Sequence, residues 1–328
     1  MIITYLRSSS YNTWSFCQHK YFLDYTLNYH SPANIAAEKG TIVHMALEIL
    51  ARAKLSQQNN QSVFNTEIGE FDAYHFNYES ILKNSYDHFS KKTPQYSWNN
   101  KHYEDCLSWF MRVVNSNMNP LNHHIICPEQ YFDIEIQKDW SYYEYNSPHG
   151  KISGYLRLKG TIDLIIRHSD DIYEIIDYKT GKRKDWVTGE EKTYDSLQNE
   201  PQFHIYHYVA HQIYPGKKFI FTVYYINDGG VYSMVIDSKA EEMIKKRFID
   251  IKNTQIPKLI FPDWKCERLC FFYKTDVDGN SVNSYNMSAC RVVHEELQQL
   301  GMNKVLMKYS KDKTYSDYGT GGGKKGAL

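Results

Sequence analysis

The sequence predicts an α/β protein in which a central mixed β-sheet is flanked by helices. Before about position 125, bulky apolar residues recur at helical spacing. From Glu129 the spacing changes to the alternation that is typical of strands, and two apolar runs, 160–167 and 172–178, are separated by a short polar turn. Helical spacing returns after position 200. The pattern therefore predicts a helical N-terminal part followed by a sheet with helices beside it.

Helices are predicted for most of the N-terminal part. Serine hydroxyls precede a helix over residues 11–27, which carries Cys17 near its middle. The next helix covers residues 40–50 and presents His44. Residues 78–117 have the spacing of two further helices. These elements are expected to form a helical layer.

The first strands follow this layer. Residues 131–136 alternate as a strand does, and the Tyr- and Ser-rich residues 140–150 are expected to form the turn that closes it. The two apolar runs that come next are joined by the polar residues 168–171, which favour a hairpin. Such a hairpin would bring Asp163 close to Asp177.

The remaining pattern places a helix between two pairs of strands. Residues 202–210 have helical spacing, and 218–227 and 231–236 are two strands joined by an Asp-Gly-Gly turn. Residues 239–252 form a further helix. The sheet is therefore expected to contain at least two hairpins.

Composition limits the classes of function that are open to the chain. Its 328 residues carry 38 basic and 38 acidic side chains, so any binding of nucleic acid needs a local basic surface. The 29 tyrosines can fill the core or stack unpaired bases. No apolar run approaches the roughly 20 residues that cross a bilayer, and no signal peptide is expected, so the predicted location is the cytoplasm. Six cysteines in this compartment are buried thiols or ligands.

The stretch 175–181, Ile-Ile-Asp-Tyr-Lys-Thr-Gly, has the clearest chemical pattern. Because side chains alternate along a strand, Asp177 and Lys179 point to one face and Tyr178 to the other. With Asp163 nearby, two carboxylates could bind Mg²⁺ or Mn²⁺, which prefer oxygen ligands. Beside a metal-bound water, the lysine can orient or deprotonate the nucleophile or stabilise charge on phosphorus. The alternative is an ordinary solvated strand end, which three residues alone do not exclude.

Further motifs occur along the chain in a fixed order around this stretch. They are Gly40 with His44, Glu129, Gly-Thr-Ile-Asp at 160–163, Asp-Tyr-Lys-Thr-Gly at 177–181, and Gln202 with Tyr206. This order resembles the RecB-like branch of the PD-(D/E)xK nuclease superfamily, in which G-x-x-x-H, an acid, G-x-[IV]-D, D-x-K-T-G and Q-x-x-x-Y follow one another. The resemblance covers about residues 8–236 and implies a restriction-endonuclease-like core with an additional helical N-terminal part.

The resemblance also implies a role for each of these residues. The implied metal ligands are His44, Glu129, Asp163 and Asp177, and the implied catalytic residues are Asp163, Asp177, Lys179, Gln202 and Tyr206. The cofactor would be Mg²⁺ or Mn²⁺, with an imidazole ligand favouring Mn²⁺.

Each assignment has a simpler alternative. His44 could be a half-buried helix histidine without a ligand role. Glu129 matches the family less specifically than the other residues do. Gln202 and Tyr206 share a helix face because they are four positions apart, a spacing that often arises by chance.

The cysteines raise the question of a second cofactor. Some RecB-like nucleases, including CRISPR-associated exonucleases and the AddB family, hold a [4Fe-4S] cluster with one cysteine in the first helix and three near the C-terminus. By resemblance, the ligands here would be Cys17, Cys266, Cys270 and Cys290. The last three are more widely spaced than the compact family pattern. The alternative is four buried or free thiols, with Cys106 and Cys127 as core residues in either case.

The residues after the Asp-Tyr-Lys motif could bind DNA. Lys182, Arg183 and Lys184 could contact backbone phosphates, and Trp186 could stack a base. A charge run of this kind is more often simply solvated.

These observations favour a metal-dependent DNA nuclease. The resemblance implies an exonuclease that acts on single strands or ends in recombination, repair or DNA processing. The expected source is a phage or mobile element. The alternatives are a catalytically inactive RecB-like module that binds DNA or docks a helicase or other replication partner, and a nuclease acting on RNA. The expected division is a helical part (1–125) that contributes His44, a nuclease core (126–256), a cysteine-bearing segment (257–310) and a disordered tail (311–328).

Overall fold

A computed structural model describes residues 1–29, 31–32, 34–147, 150–185, 189–228, 230–236, 239–260 and 264–310. The α-helices in this part of the chain are α1 (Ser8–Phe16), α2 (Gln18–Tyr21), α3 (Ile35–Gln58), α4 (Tyr78–Lys92), α5 (Asn100–Val114), α6 (Tyr194–Gln198), α7 (Pro201–Ile213), α8 (Ala240–Lys252), α9 (Trp264–Leu269), α10 (Phe271–Lys274), α11 (Ala289–Leu300) and α12 (Met302–Tyr309). The strands are β1 (Tyr5–Leu6), β2 (Val63–Thr66), β3 (Gly69–Asp72), β4 (His124–Glu135), β5 (Tyr142–Ser147), β6 (Gly150–Tyr155), β7 (Arg157–Arg167), β8 (Ile172–Lys179), β9 (Lys218–Tyr225) and β10 (Gly230–Met234).

The described residues divide into two compact units, each assembled from separate stretches of the chain. The first unit contains the described residues of Met1–Pro32, Phe132–Gly160 and Ser238–Leu328. The second contains those of Ala33–Tyr131 and Thr161–Asp237.

The second unit is organised around a mixed β-sheet. In this sheet β7, β8, β9 and β10 lie side by side in that order, and β4 also pairs with β7. β7 and β8 are antiparallel with Leu164 opposite Ile176, β8 and β9 are parallel, and β9 and β10 are antiparallel. Both predicted hairpins are present, and the predicted central mixed sheet flanked by helices is confirmed.

Alternation along β8 determines which side chains enter the core of the second unit. Ile176 and Tyr178 point into a hydrophobic cluster that includes residues of α3, α4 and α5. Asp177 lies between them and therefore points to the other face of the sheet. There α7 packs on β9, with the rings of Phe203 and Phe221 6.3 Å apart. The polar residues of β8 thus meet α7.

In the first unit, β1 pairs in parallel with the first residues of β7, and β5 pairs with β6 in antiparallel fashion. Gly160, the glycine of the Gly-Thr-Ile-Asp motif, lies against the ring of Phe132. A Cβ atom at this position would come within 2.6 Å of the ring Cζ, so a larger residue would force a shift. Close packing therefore explains this motif glycine.

The predicted helix over residues 11–27 is wrong at Cys17. The backbone there is extended, with φ −161° and ψ 118°, so that α1 ends before it and α2 begins after it. The Cys17 sulfur accepts the backbone N–H of Lys20 at 3.5 Å, in the manner of an N-cap side chain. The spacing of bulky residues continues across the break because both short helices bury aromatic rings, Trp14 and Tyr21.

The predicted turn over residues 140–150 is also wrong, because most of it is β5. Tyr143 is buried, whereas Tyr142 and Glu144 on either side are exposed, which is the alternation of a half-covered strand. The density of tyrosine and polar residues hides this alternation in the sequence. The β2–β3 hairpin is a further element that the sequence pattern does not predict.

The described residues do not test every prediction made from the sequence. The tail 311–328, predicted to be disordered, lies outside the described residues. The contiguous division into 1–125, 126–256 and 257–310 stays a prediction. Among the helices of the described ranges, none is both long and apolar enough to cross a bilayer.

Candidate active site

The C-terminal end of β8 places an acid and a lysine side by side. Asp177 is almost completely buried, and its Oδ2 lies 2.7 Å from Lys179 Nζ. Tyr178 points to the opposite face, where its hydroxyl donates a hydrogen bond to the carbonyl of Met118 at 2.8 Å. The alternation predicted for this stretch is therefore what the structure shows.

Asp163 lies on β7 next to this pair. The register pairs Leu164 with Ile176, so one further step along the antiparallel ladder places Asp163 opposite Asp177. The backbone N–H of Tyr178 donates to Asp163 Oδ2 at 2.9 Å, which holds the carboxylate at the strand end. The predicted proximity of the two carboxylates follows from this geometry.

A possible set of metal ligands forms beside Asp163. One ligand atom each from His44, Glu129 and Asp163 lie within 4.8 Å of one another, and His44 Nδ1 is 3.4 Å from Asp163 Oδ2. These residues line a cavity of about 10 Å³, comparable with the space that one bound water needs. Two carboxylates and an imidazole in a cavity of this size fit a divalent cation such as Mn²⁺ or Mg²⁺.

Glu129 reaches this cluster through an unusual backbone conformation. Its φ is +48°, in the left-handed region that residues other than glycine rarely adopt, although it lies within β4. Such a conformation costs on the order of 1–3 kcal/mol and persists where the surrounding structure enforces it. The sequence pattern gives no sign of this feature.

Asp177 is not part of the three-residue cluster. Gln202 Nε2 donates to its Oδ1, while its Oδ2 is buried and accepts no well-aligned hydrogen bond from any described residue. Lys179 is the partner that balances its charge.

A chain of hydrogen bonds connects Lys179 to α7. Lys179 Nζ donates to Gln202 Oε1 at 3.1 Å, and Gln202 Nε2 donates to the hydroxyl of Tyr206 at 2.8 Å. The Tyr206 hydroxyl donates in turn to the carbonyl of Thr161 at 2.6 Å. The i, i+4 spacing on α7 therefore places Gln202 on the lysine and Tyr206 on Gln202.

Burial and neighbouring charges act in opposite directions at this site. Burial lowers the pKa of His44, but the carboxylates of Asp163, Glu129 and Asp177 outweigh it and raise the pKa to about 9. Burial raises the pKa of Asp177. Burial would also lower the pKa of Lys179, but the two aspartates raise it, so the side chain is an ammonium group. The three carboxylates thus form a site that attracts positive charge.

The glycine of the Gly-x-x-x-His motif has a packing role. Gly40 lies in α3 against Thr180, the residue that follows β8, and an added Cβ would come within 2.9 Å of Thr180 Oγ1. The helix that carries His44 can therefore approach the end of the strand that carries Asp177. Two motifs that are far apart in the sequence meet at this contact.

The four residues predicted to bind DNA differ in their exposure and in their contacts. Lys182 and Lys184 are exposed. The guanidinium of Arg183 lies 2.9 Å from Glu191 Oε2 and 4.7 Å from the ring centre of Tyr232, so Arg183 holds its own loop. Trp186 lies outside the described residues.

Sequence reasoning missed two residues that hold this loop. Asn227 Nδ2 donates to the carbonyl of Thr180, and an Asp228 carboxylate oxygen accepts the backbone N–H of Arg183. In the sequence these residues belong to an Asn-Asp-Gly-Gly stretch, which predicts a turn. Nothing in that pattern indicates that its side chains reach the loop after β8.

The cysteines predicted as cluster ligands all lie in the first unit and are buried. Cys17 separates α1 from α2, Cys266 is in α9, Cys270 precedes α10 and Cys290 is near the start of α11. Burial raises the pKa of the Cys270 thiol to about 11, with smaller contributions from Cys17 and Cys266. Burial also raises the pKa of Cys290, and the other three thiols add to that rise. The four side chains therefore share one neighbourhood.

The long spacing before Cys290 is closed by the backbone. The N–H of Ala289 donates to the carbonyl of Thr275 at 2.7 Å, which returns the chain to the end of α10. His19 Nε2 donates to the carbonyl of Cys290 at 2.9 Å and ties α2 to α11. Cys106 and Cys127 lie in the second unit, where Cys106 is fully buried and Cys127 half-buried.

Among the solved structures that resemble the chain are two with limited similarity. The "Putative exonuclease" of Eubacterium rectale has a TM-score of 0.44 and 11% identity, over 81% of this chain and 92% of that one. The protein SSO0001 has a TM-score of 0.27 and 16% identity, over 68% of this chain and 92% of that one.

No curated protein matches the chain. The family model of the PD-(D/E)XK nuclease superfamily, in contrast, matches residues 8–272, a range that includes every residue of the site described above. The chain therefore belongs to the PD-(D/E)XK nuclease superfamily.

Proposed function

We propose that this nuclease is a metal-dependent DNA exonuclease of the RecB-like branch, with His44, Glu129, Asp163 and Asp177 as metal ligands. The observation that carries the proposal is the meeting of three carboxylates, an imidazole and a lysine at one end of β8. A fold kept only for binding would not need a lysine ion-paired to a buried carboxylate. This favours a catalytic protein over an inactive module.

In the proposed mechanism the carboxylates and His44 would bind the cation, and Lys179 would interact with the phosphate. A bound Mg²⁺ or Mn²⁺ supplies a more acidic water and a Lewis acid for the phosphate oxygens. The Lys179 ammonium faces the charge that develops on phosphorus as the phosphodiester bond is hydrolysed. Gln202 accepts a hydrogen bond from Lys179 and fixes its position, and Tyr206 and the Thr161 carbonyl fix Gln202.

The finer assignment to DNA ends rests on the motif order. The sequence of Gly-x-x-x-His, Asp-x-Lys and Gln-x-x-x-Tyr motifs supports the RecB-like branch, and with it action on single strands or ends in recombination, repair or processing of DNA. The exposed Lys182 and Lys184 directly after β8 give the backbone phosphates a place to bind. With 38 basic and 38 acidic residues the chain has no broad positive field, which supports delivery of substrate by a helicase or recombination partner. A cytoplasmic location and a phage or mobile-element source complete the proposal.

We also propose a [4Fe-4S] cluster on Cys17, Cys266, Cys270 and Cys290. Thiolates are the ligands that such a cluster needs, and the four thiols share one buried neighbourhood. Among the described residues, no three of these sulfurs lie within 4.8 Å of one another. A single zinc ion, with Zn–S bonds of about 2.3 Å, would require closer sulfurs. The role of the cluster would be to hold α2 to the C-terminal helices.

The nuclease proposal is tested with labelled linear and circular DNA, single- and double-stranded, and with RNA, in Mn²⁺, Mg²⁺ or EDTA. We expect cleavage of linear DNA only in the presence of metal. Asp177→Asn and Lys179→Ala should each lower the rate by about 10²–10³-fold. The matched control is Asp170→Asn, since Asp170 is exposed in the turn at the other end of the same hairpin.

Each outcome of this assay discriminates between the hypotheses. Cleavage of circular single strands would replace exonuclease by endonuclease, and preferential cleavage of RNA would overturn the choice of substrate. DNA binding without cleavage in either metal would favour the inactive module. Metal-dependent cleavage that survives Asp177→Asn would contradict the site assignment.

The cluster proposal is tested by anaerobic purification. We expect a brown protein that contains iron and sulfide and loses both in Cys270→Ser, while Cys127→Ser, in the other unit, retains them. A colourless, iron-free wild-type protein would rule the cluster out.

A further inference from the structure

A groove on the second unit has no role in the chemistry described so far. It is open to solvent and has a volume of about 670 Å³, within the range of ligand-binding clefts in proteins. One wall comes from α5 and its end, with Ser108, Arg112 and Asn115, and the other from the end of β9, with Tyr224, Ile226 and Asn227. Both walls belong to the same compact unit as the metal-ligand cluster.

The groove starts where the catalytic strand ends. The backbone N–H of Ile226 donates to the carbonyl of Lys179 at 2.9 Å. Asn227 Nδ2 donates to the carbonyl of Thr180. Two residues of the groove wall are thus hydrogen-bonded to the two residues that follow Tyr178. Tyr224 and Ile226 belong to the hydrophobic cluster on the face of the sheet opposite to Lys179, so a DNA strand held at Lys179 would pass around the C-terminal ends of β8 and β9 to reach the groove.

The lining combines an apolar floor with polar groups at its edge. Tyr224 and Ile226 are buried, whereas Ser108 and Asn115 are exposed. Because Tyr224 and Ile226 are covered, the half-buried Met111 supplies the accessible apolar surface of the groove. A flexible thioether side chain suits the face of a nucleobase, and hydroxyl and amide groups suit its edge.

One arginine supplies the positive charge of the groove. Arg112 is exposed, and its Nη1 donates long hydrogen bonds of 3.4 Å to the carbonyls of Ile226 and Asn227. A guanidinium held in this way can still bind a phosphate through its remaining N–H groups. The one carboxylate in the lining, Asp228, already accepts the backbone N–H of Arg183. The charges therefore favour an anionic ligand with a flat, partly apolar body.

We infer that this groove binds one unpaired nucleotide of the substrate strand next to the scissile phosphate, its base on Met111 and its phosphate on Arg112. The inference deepens the proposed function and rests on it for the identity of the strand. Because a base enters the groove only when it is unpaired, the groove would select single strands over duplex.

Binding of a labelled oligothymidylate in EDTA tests the groove without cleavage. Arg112→Ala should weaken binding by about tenfold, and Ser108→Trp, which fills the groove from an exposed position, by a similar factor. Lys101→Ala removes one charge from an exposed position of the same helix outside the groove and should change binding by less than about twofold. Equal affinities of Arg112→Ala and Lys101→Ala would overturn the inference.

A single abasic position moved along the oligonucleotide gives a second readout. The wild-type protein should lose affinity when the abasic site falls at one position, and Ser108→Trp should lose this position dependence. A uniform response in the wild type would also overturn the inference. If the variants bind as expected but the wild type cleaves nothing in Mn²⁺, the groove stands and the nuclease proposal fails. If cleavage occurs and the variants bind like the wild type, the reverse holds.

Discussion

At the scale of single residues, Tyr206 shows how a side chain can serve the lysine without touching substrate. Its hydroxyl accepts from Gln202 and donates to the Thr161 carbonyl, so it fixes the amide that accepts from Lys179. Because Tyr206 is buried, this order does not depend on solvent. Tyr206 is therefore a positioning residue in the proposed mechanism.

Tyr206→Phe should keep the fold but loosen the lysine. We expect a loss of about 1 kcal/mol in the free energy of unfolding, since one hydrogen-bonded hydroxyl is removed. Cleavage should fall about tenfold in single-turnover kinetics, the equivalent of about 1.4 kcal/mol. Tyr208→Phe on the same helix is the control. A Tyr206→Phe protein that is destabilised yet cleaves at the wild-type rate would show that the phenol is only structural.

Gly40 permits a second prediction, in which two effects oppose each other. Alanine is favoured over glycine within a helix by about 1 kcal/mol. Its Cβ, however, would lie 2.9 Å from Thr180 Oγ1, and overpacking costs about 1–3 kcal/mol. We expect the clash to prevail, so that Gly40→Ala lowers both the free energy of unfolding and the cleavage rate.

The double variant Gly40→Ala/Thr180→Ala isolates this contact. Removing the hydroxyl should restore the stability lost in Gly40→Ala, with a coupling energy of about 1 kcal/mol in a double-mutant cycle from urea denaturation. Additive effects of the two substitutions would mean that the close approach is not the cause.

The order of the motifs predicts which residues come together at the site. It does not predict the backbone geometry that brings some of them there. Alternation and the hairpin suffice to bring Asp163, Asp177 and Lys179 together. The route of Glu129 to the cluster depends on a positive φ inside β4, which no residue pattern specifies. Asp177 pairs with Lys179 and lies outside the three-ligand cluster. This pairing depends on side-chain rotamers and on which charged groups are present, and a residue pattern specifies neither.

At the scale of elements, periodicity predicted the long amphipathic helices and the apolar strands. α4 and α5 each have a buried face, and β7 and β8 are continuous apolar runs, so their patterns are unambiguous. The β5–β6 hairpin was missed because its tyrosines occur on both faces and its ends are polar. Propensity alone does not separate such a strand from a loop.

The sheet also contains a polar ladder that crosses three strands. Glu174 on β8 is buried and accepts hydrogen bonds from Thr222 on β9 and from His168, which lies at 2.6 Å. Thr222 also contacts Ser233 on β10 at 2.7 Å between hydroxyl oxygens. A buried carboxylate in mid-sheet requires these partners.

Thr222→Val should therefore destabilise the protein although valine is a good strand residue. It leaves one oxygen of a buried carboxylate with fewer donors, at a cost of about 1–3 kcal/mol in the free energy of unfolding. Thr222→Ser keeps the hydroxyl and should lose less. Urea denaturation measures both variants, and a valine variant as stable as the serine variant would show that the ladder contributes little.

At the scale of the whole molecule, metal binding should appear as stability. A ligand that binds only the folded chain stabilises it by about 2.7 kcal/mol at one hundred times its dissociation constant. Mn²⁺ should therefore raise the melting temperature of the wild-type protein, and EDTA should reverse the rise. The effect should be lost in His44→Ala and retained in His75→Ala, where the replaced imidazole is exposed. Equal shifts in the two variants would remove His44 from the ligand set.

The first unit is assembled from separate segments of the chain, and this fixes the order in which its parts are synthesised. Its residues come from the beginning, the middle and the end of the described chain, so Cys17 leaves the ribosome long before Cys266, Cys270 and Cys290 exist. At about 5–20 residues per second, its thiol waits roughly 10–50 s for the other three. The second unit, by contrast, has all of its residues once position 237 has been made. Pulse labelling of thiols on arrested nascent chains should find Cys17 reactive until the C-terminal cysteines emerge. The second unit can therefore fold first, while the Cys17 thiol between α1 and α2 stays accessible to oxidants or to a chaperone.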